Sequence, residues 1–153
     1  MNRGGKLKSQ IYLAGPFFSD EQVERVARIE KALEENPTVT DFYSPRHHQE
    51  SNYEMFSAGW AQEVYEKDMA ELTAADYVVA ILDYEHQIID PGTAYELGAA
   101  TMMKKPMIVF QEETVPTNLM ITQSLHTYLK TVDEVRDYDF KTLPVTKYVG
   151  EYL

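Results

Sequence analysis

The chain contains no cysteine, which excludes disulfides, thiolate nucleophiles and thiolate metal ligands. Basic residues are scarce. Lys and Arg number 14 against 25 Asp and Glu, for a net charge of −11. Nucleic-acid polymers and anionic membrane surfaces both recruit clustered cations, so neither is expected as a partner. Long apolar runs are also missing: the longest, Tyr77 to Leu82, is far short of a membrane span. The start, residues 1–8, is basic but lacks the apolar stretch of a signal peptide. It reads as a flexible tail before a single domain over 9–153, and a cytoplasmic location is expected. Neither a Walker loop nor a G-x-G-x-x-G pattern occurs, and Ser19, Ser44 and Ser124 stand in no nucleophile-elbow sequence. The hydrophobic residues that are present, 44% of the 153, suffice for a proper core.

Those apolar residues alternate in kind along the chain. Ile11–Ala14 is a short apolar run ended by Gly15-Pro16, as in a buried strand. Ser19 and Gln22 form a capping box ahead of a helix with Val23, Val26, Ala27, Ile29, Ala32 and Leu33 inward, and Asn36-Pro37 stops it. Strands are expected at 39–43, 77–82, 107–110 and 126–129, and helices at 57–74, 91–103 and 118–124. Residues 45–56 read as a loop and the remainder after 129 as turn-rich. Strands alternating with helices predict parallel βαβ units, which bind ligands beyond the carboxyl ends of the strands. That rule selects the loops 15–19, 45–56 and 83–90.

The segment Asp90-Pro91-Gly92-Thr93-Ala94-Tyr95-Glu96-Leu97-Gly98-Ala99-Ala100 opens a helix beside the last of these loops. Asp90 suits the N-cap and Pro91 the first helical position. Glu96 then falls in the second turn among small residues, which leave room for another molecule to approach its carboxylate. Asp83, Glu85 and Asp90 lack metal-loop spacing, and the adjacent pair His47 and His48 is a poor chelator, so the histidines read as solvated. Asp20 and Glu21 occupy the first turn of the first helix, where they satisfy its dipole and repel a phosphate. Carboxylate chemistry remains: one acid as nucleophile and another as proton donor, as at sugar anomeric centres. Asp68, read at the end of its helix, is a candidate for the second role.

Ile11 to Asp20, Trp60 with Asp68 eight residues on, Asp90 to Gly98, and Asn118-Leu119-Met120 occur in this order, in a match that covers nearly the whole chain from Ile11 to Tyr152. Together they resemble the nucleoside 2-deoxyribosyltransferases. The resemblance implies an α/β fold: a flavodoxin-like, doubly wound, five-stranded parallel sheet with helices on both faces. It implies transfer of 2-deoxyribose between purine and pyrimidine bases, with 2′-deoxynucleosides and free nucleobases as ligands and no metal, phosphate or other cofactor. Glu96 matches the family's nucleophile, Tyr12 the tyrosine that orients it, and Asp68 the proton donor to the leaving base. Asp90 matches a residue meeting the substrate, and Gln49 a base-contacting glutamine. Phe18 and Trp60 match aromatic walls, with Gly15 in the strand-one motif. Asn118 and Met120 match residues lent across the interface of a homo-oligomer, commonly a hexamer built from dimers. Family chains often end in tyrosine, whereas here Leu153 follows Tyr152.

Other readings stay open on the residues alone. Tyr12, Phe18 and Trp60 also suit core filler, and Asn118 a helix cap. A hydrolase of 2′-deoxynucleoside 5′-monophosphates and a non-catalytic nucleoside-binding module are the rival functions.

Overall fold

The computed structural model describes residues 8–86 and 88–153. The tail expected over 1–8 lies outside them except for Lys8, whose ammonium meets the Asp76 carboxylate at 2.7 Å. Five strands, β1 (Ile11–Ala14), β2 (Phe42–Tyr43), β3 (Tyr77–Ile81), β4 (Met107–Phe110) and β5 (Thr127–Leu129), form one sheet. All pairings are parallel, in the order β2-β1-β3-β4-β5. This is the flavodoxin-like order that the resemblance implied.

The strands are short unbroken apolar runs because both faces of the sheet are covered. Alternation along them sends Tyr12, Ala14, Val78, Ala80, Met107 and Val109 to one face. There they pack with Leu72 of α2 (Ala58–Ala74) and Leu97 and Ala100 of α3 (Pro91–Met102). The intervening Ile11, Leu13, Val79, Ile81, Ile108 and Phe110 meet Val26, Ile29 and Leu33 of α1 (Asp20–Glu35) and Val135 of α5 (Val132–Asp137) on the other. The strand order reverses at β1 and β3, which opens a crevice beyond their carboxyl ends. The short helix α4 (Leu119–Thr122) lies near the α3 flank.

Four expectations need correction. The second strand spans only Phe42–Tyr43, because the preceding N–H groups are used elsewhere: Thr38 donates to Asn36 Oδ1 at 2.8 Å and Thr40 to Gln10 Oε1 at 2.7 Å. The capping box is half made. Ser19 Oγ accepts from the Gln22 N–H (3.2 Å), but Gln22 Oε1 takes the Phe18 N–H (2.7 Å) instead of that of Ser19. The segment after β5 contains a helix, α5, started by a complete box between Thr131 and Glu134. Within the expected loop 45–56, Pro45–His47 forms a single 3-10 turn.

Candidate functional site

β1 carries Tyr12 and β2 carries Tyr43 in direct register, so both phenols leave the sheet on the same face near the crevice. Their rings stack with centroids 5.8 Å apart. The Tyr12 O–H donates to Glu96 Oε2 in a very short contact. The Tyr43 O–H donates to Asp68 Oδ1 at 3.2 Å. Glu96 stands in the second turn of α3, which Asp90 caps: its Oδ2 accepts the Thr93 N–H (2.8 Å) and Oγ1–H (2.9 Å). Asp68 lies in the body of α2, not at its end, because that helix continues to Ala74. The two carboxyls line one cleft of about 440 Å³ with Tyr65, Met69, Pro91, Gly92 and Tyr95.

Burial sets the protonation of this pair. It pushes the Glu96 carboxyl up to about 7, against the Tyr12 hydrogen bond and with help from the negative charges of Asp68 and Asp90. Burial likewise pushes Asp68 up to about 6, opposed by the Tyr43 hydrogen bond and Lys67. The phenols of Tyr12 and Tyr43 are raised far above their usual value, first by burial and then by these anions, so both remain proton-bearing donors.

The other sequence-selected residues are distributed around this centre. Gln49 lies in the loop after the 3-10 turn; its amide N–H donates to the Pro45 carbonyl (2.8 Å) and its own carbonyl accepts the Trp60 indole N–H (3.1 Å). Trp60 is half-buried against Phe56. Phe18 is 68% exposed, which excludes the core-filler reading. It lies edge-on to Tyr84. At Gly15 an added Cβ would come within 3.1 Å of Ile81 Cβ, so the chain leaves β1 close against β3 and a side chain there would need Ile81 to shift by a few tenths of an ångström. Asn118 caps α4, its Oδ1 accepting the Met120 N–H at 2.8 Å. Asn118 and Met120 do not join Glu96 within this chain. They line a larger groove of about 690 Å³ on the other flank of α3, with Ala94, Gly98, Met102 and Leu153.

Three further residues at the centre escaped sequence reasoning. Tyr65 and Tyr95 line the cleft with hydroxyls 3.3 Å apart, and Tyr43 reaches it through its hydrogen bond to Asp68. The strand-end rule that singles out loops applies equally to Tyr43, and Tyr65 sits one helical turn before Asp68. His47 and His86 are exposed, in line with the solvated reading, but three of the four histidines also have partners. His48 stacks on Tyr43 at 4.3 Å, His47 Nε2 lies 3.2 Å from Glu30, and His126 Nε2 lies 2.9 Å from the Leu143 carbonyl. Asp83 accepts the Glu112 and Glu113 N–H groups, each at 2.8 Å, and so shapes the turn after β4.

Residues 11–131 match the family model described as nucleoside 2-deoxyribosyltransferase. A nucleoside deoxyribosyltransferase from Limosilactobacillus fermentum is 29% identical over 147 residues, covering 86% of each chain. The solved 2-deoxyribosyltransferase of Bacillus psychrosaccharolyticus superposes with a TM-score of 0.82 at 38% identity, covering 91% of this chain and 98% of that one. A CMP N-glycosidase from Clostridium botulinum shares the fold at a TM-score of 0.53 and 18% identity, covering 86% of this chain and 95% of its own.

Proposed function

Because this chain belongs to the nucleoside 2-deoxyribosyltransferase family, we propose that it exchanges the base of 2′-deoxynucleosides by double displacement at Glu96. A Glu96 oxygen attacks C1′ and the bond from C1′ to the base nitrogen breaks. The electron pair leaves with the base, which takes a proton from Asp68. An incoming purine or pyrimidine then attacks C1′ of the deoxyribosyl-glutamate, returns its proton to Asp68 and frees Glu96. Two inversions give net retention. The observation that carries this reading is the shared cleft, in which two carboxyls each hold a tyrosine O–H and are both raised toward neutrality. At neutral pH a group titrating near 7 is partly ionised and therefore a competent nucleophile, while its partner can still supply a proton.

Asp90, Gln49, Phe18, Trp60 and Gly15 are assigned to substrate binding around this pair. Asn118 and Met120 are assigned to the site of a second copy, which fits their place on the opposite flank of α3 from Glu96. Tyr12, close against Glu96, leaves little space for a 2′-hydroxyl, so adenosine is expected to turn over far more slowly than 2′-deoxyadenosine. The exposed acids Asp20 and Glu21 at the start of α1 disfavour a 5′-phosphate there.

The test is direct. Incubation of thymidine with adenine should yield 2′-deoxyadenosine, and a 2-fluoro-substituted deoxynucleoside should slow both steps and leave a sugar on the Glu96 peptide by mass spectrometry. Exchange by Glu96→Ala, or an adduct on another residue, would refute the mechanism. Preferred cleavage of 5′-monophosphates to free base would favour the hydrolase instead.

A further inference from the structure

From the stacked tyrosines we infer that Tyr43 is a positioning residue for proton transfer by Asp68. This rests on the reading of Asp68 as proton donor. Among the described residues, Tyr43 is the group whose O–H reaches the Asp68 carboxyl, at Oδ1. It is held there from two directions. Its ring packs against that of Tyr12, its in-register neighbour on β1, and His48 of the following loop stacks on it with planes 15° apart. Tyr43 is itself 5% exposed, so its hydroxyl has little freedom to turn to water. The two strands therefore deliver one phenol to each carboxyl in the cleft: Tyr12 to Glu96 and Tyr43 to Asp68.

The chemical consequence follows from when charge appears. As the bond to the base breaks, Asp68 gives its proton to the base nitrogen and becomes a carboxylate. A hydrogen bond from a neutral phenol to a neutral acid thereby becomes one to an anion, which is roughly twice as strong. The gain is realised in the transition state and not in the ground state, so it accelerates the step. The Tyr43 phenol, raised far above its usual value by burial and by Asp68, does not compete as a proton source and stays a donor throughout. Fixing Oδ1 also leaves Oδ2 as the oxygen that carries the transferred proton.

The experiment compares two donors in single turnover with enzyme in excess, reading release of the first base. With 2′-deoxyinosine the departing base needs a proton. With 7-methyl-2′-deoxyguanosine the base is already cationic and leaves neutral without one. Tyr43→Phe keeps the ring and its stacking but removes the O–H. It should slow release from 2′-deoxyinosine roughly 10- to 100-fold, the worth of a hydrogen bond to a charged group. Release from the 7-methyl donor should be unchanged, and Asp68→Asn should show the same split more strongly. An equal loss on both donors would mean that Tyr43 only supports the fold, and no loss on either would mean that it does not assist Asp68; both overturn the inference. An Asp68→Asn enzyme that slows both donors equally would instead overturn the underlying reading of Asp68 as proton donor, and is distinguishable because it leaves Tyr43 intact.

Discussion

Two carboxyls raised by the same cause are being asked for opposite protonation states. In the proposed mechanism Glu96 must be ionised to attack and Asp68 must be protonated to donate, yet burial lifts them to about 7 and about 6. We therefore expect kcat/KM to pass through a maximum near neutrality, rising as Glu96 ionises and falling as Asp68 loses its proton. The two apparent values belong to the coupled pair. Asp68→Asn should lose the alkaline fall along with most of its rate, about 10²–10⁴-fold for general acid catalysis; initial rates across the neutral range check this. Burial has a cost in stability as well. Glu96 holds a proton in the folded chain that an unfolded carboxyl has already released, so its contribution is fully present below the unfolded value and is lost as pH rises through about 7. Glu96→Gln should accordingly gain melting temperature relative to the unaltered chain as pH rises through that range. A gap that does not change with pH in thermal scans would contradict this.

The loop between β2 and α2 is anchored from beneath by Glu30 of α1. Its carboxylate accepts from Ser44 Oγ (2.6 Å), Arg46 Nε (2.9 Å) and Arg46 NH2 (2.6 Å), and lies 3.2 Å from His47. Burial alone would raise the carboxyl, but the Arg46, Ser44 and His47 hydrogen bonds outweigh it and hold Glu30 below the usual range. A depressed carboxyl stabilises the fold above its unfolded value, and that contribution disappears as pH falls through the folded one. Glu30→Ala should cost about 2 kcal/mol by urea unfolding at neutral pH, with a smaller difference in acid. Since the same segment carries His48 and Gln49, the variant should raise KM for the nucleoside more than it lowers kcat. Unchanged KM would show that the anchor serves stability alone. None of these elements was visible as a unit in the sequence: Glu30 falls on the inward face of its helix, between Val26 and Leu33, and only the chain's return at Ser44 gives it partners.

Across the molecule, α3 separates two concave surfaces. One flank carries Glu96 toward α2; the other carries Ala94, Gly98 and Met102 toward Asn118 and Met120, in a groove without a titratable side chain. No helix of the described residues is long and apolar enough to cross a membrane. A net charge of −11 favours solubility without preventing an apolar contact between copies. If sites are shared between copies, Glu96→Ala and Asn118→Ala chains, each inactive alone, should regain activity when mixed and allowed to exchange subunits. Failure to recover, or a fully active monomer by light scattering, would rule out sharing. Chelation by EDTA and omission of phosphate should both leave base exchange unchanged, since no step proposed at Glu96 and Asp68 uses either.

The sequence by itself determined the order of strands and helices as far as β5 and the helix starts at Ser19, Ser57 and Asp90. Strands covered on both faces must be continuous apolar runs, and a cap is written in the residue that makes it. The resemblance that the sequence motifs carry also implied Tyr12, Asp68 and Glu96 as a set. The tertiary structure alone decided which oxygen each phenol reaches, that Tyr43 stands beside Tyr12, and that Asn118 and Glu96 lie on opposite flanks of one helix. It likewise shortened β2, because Gln10 captures the Thr40 N–H from 30 residues away. Local propensity is summed over a few neighbouring residues, whereas a hydrogen bond or a stacked ring belongs to whichever groups the fold brings within reach.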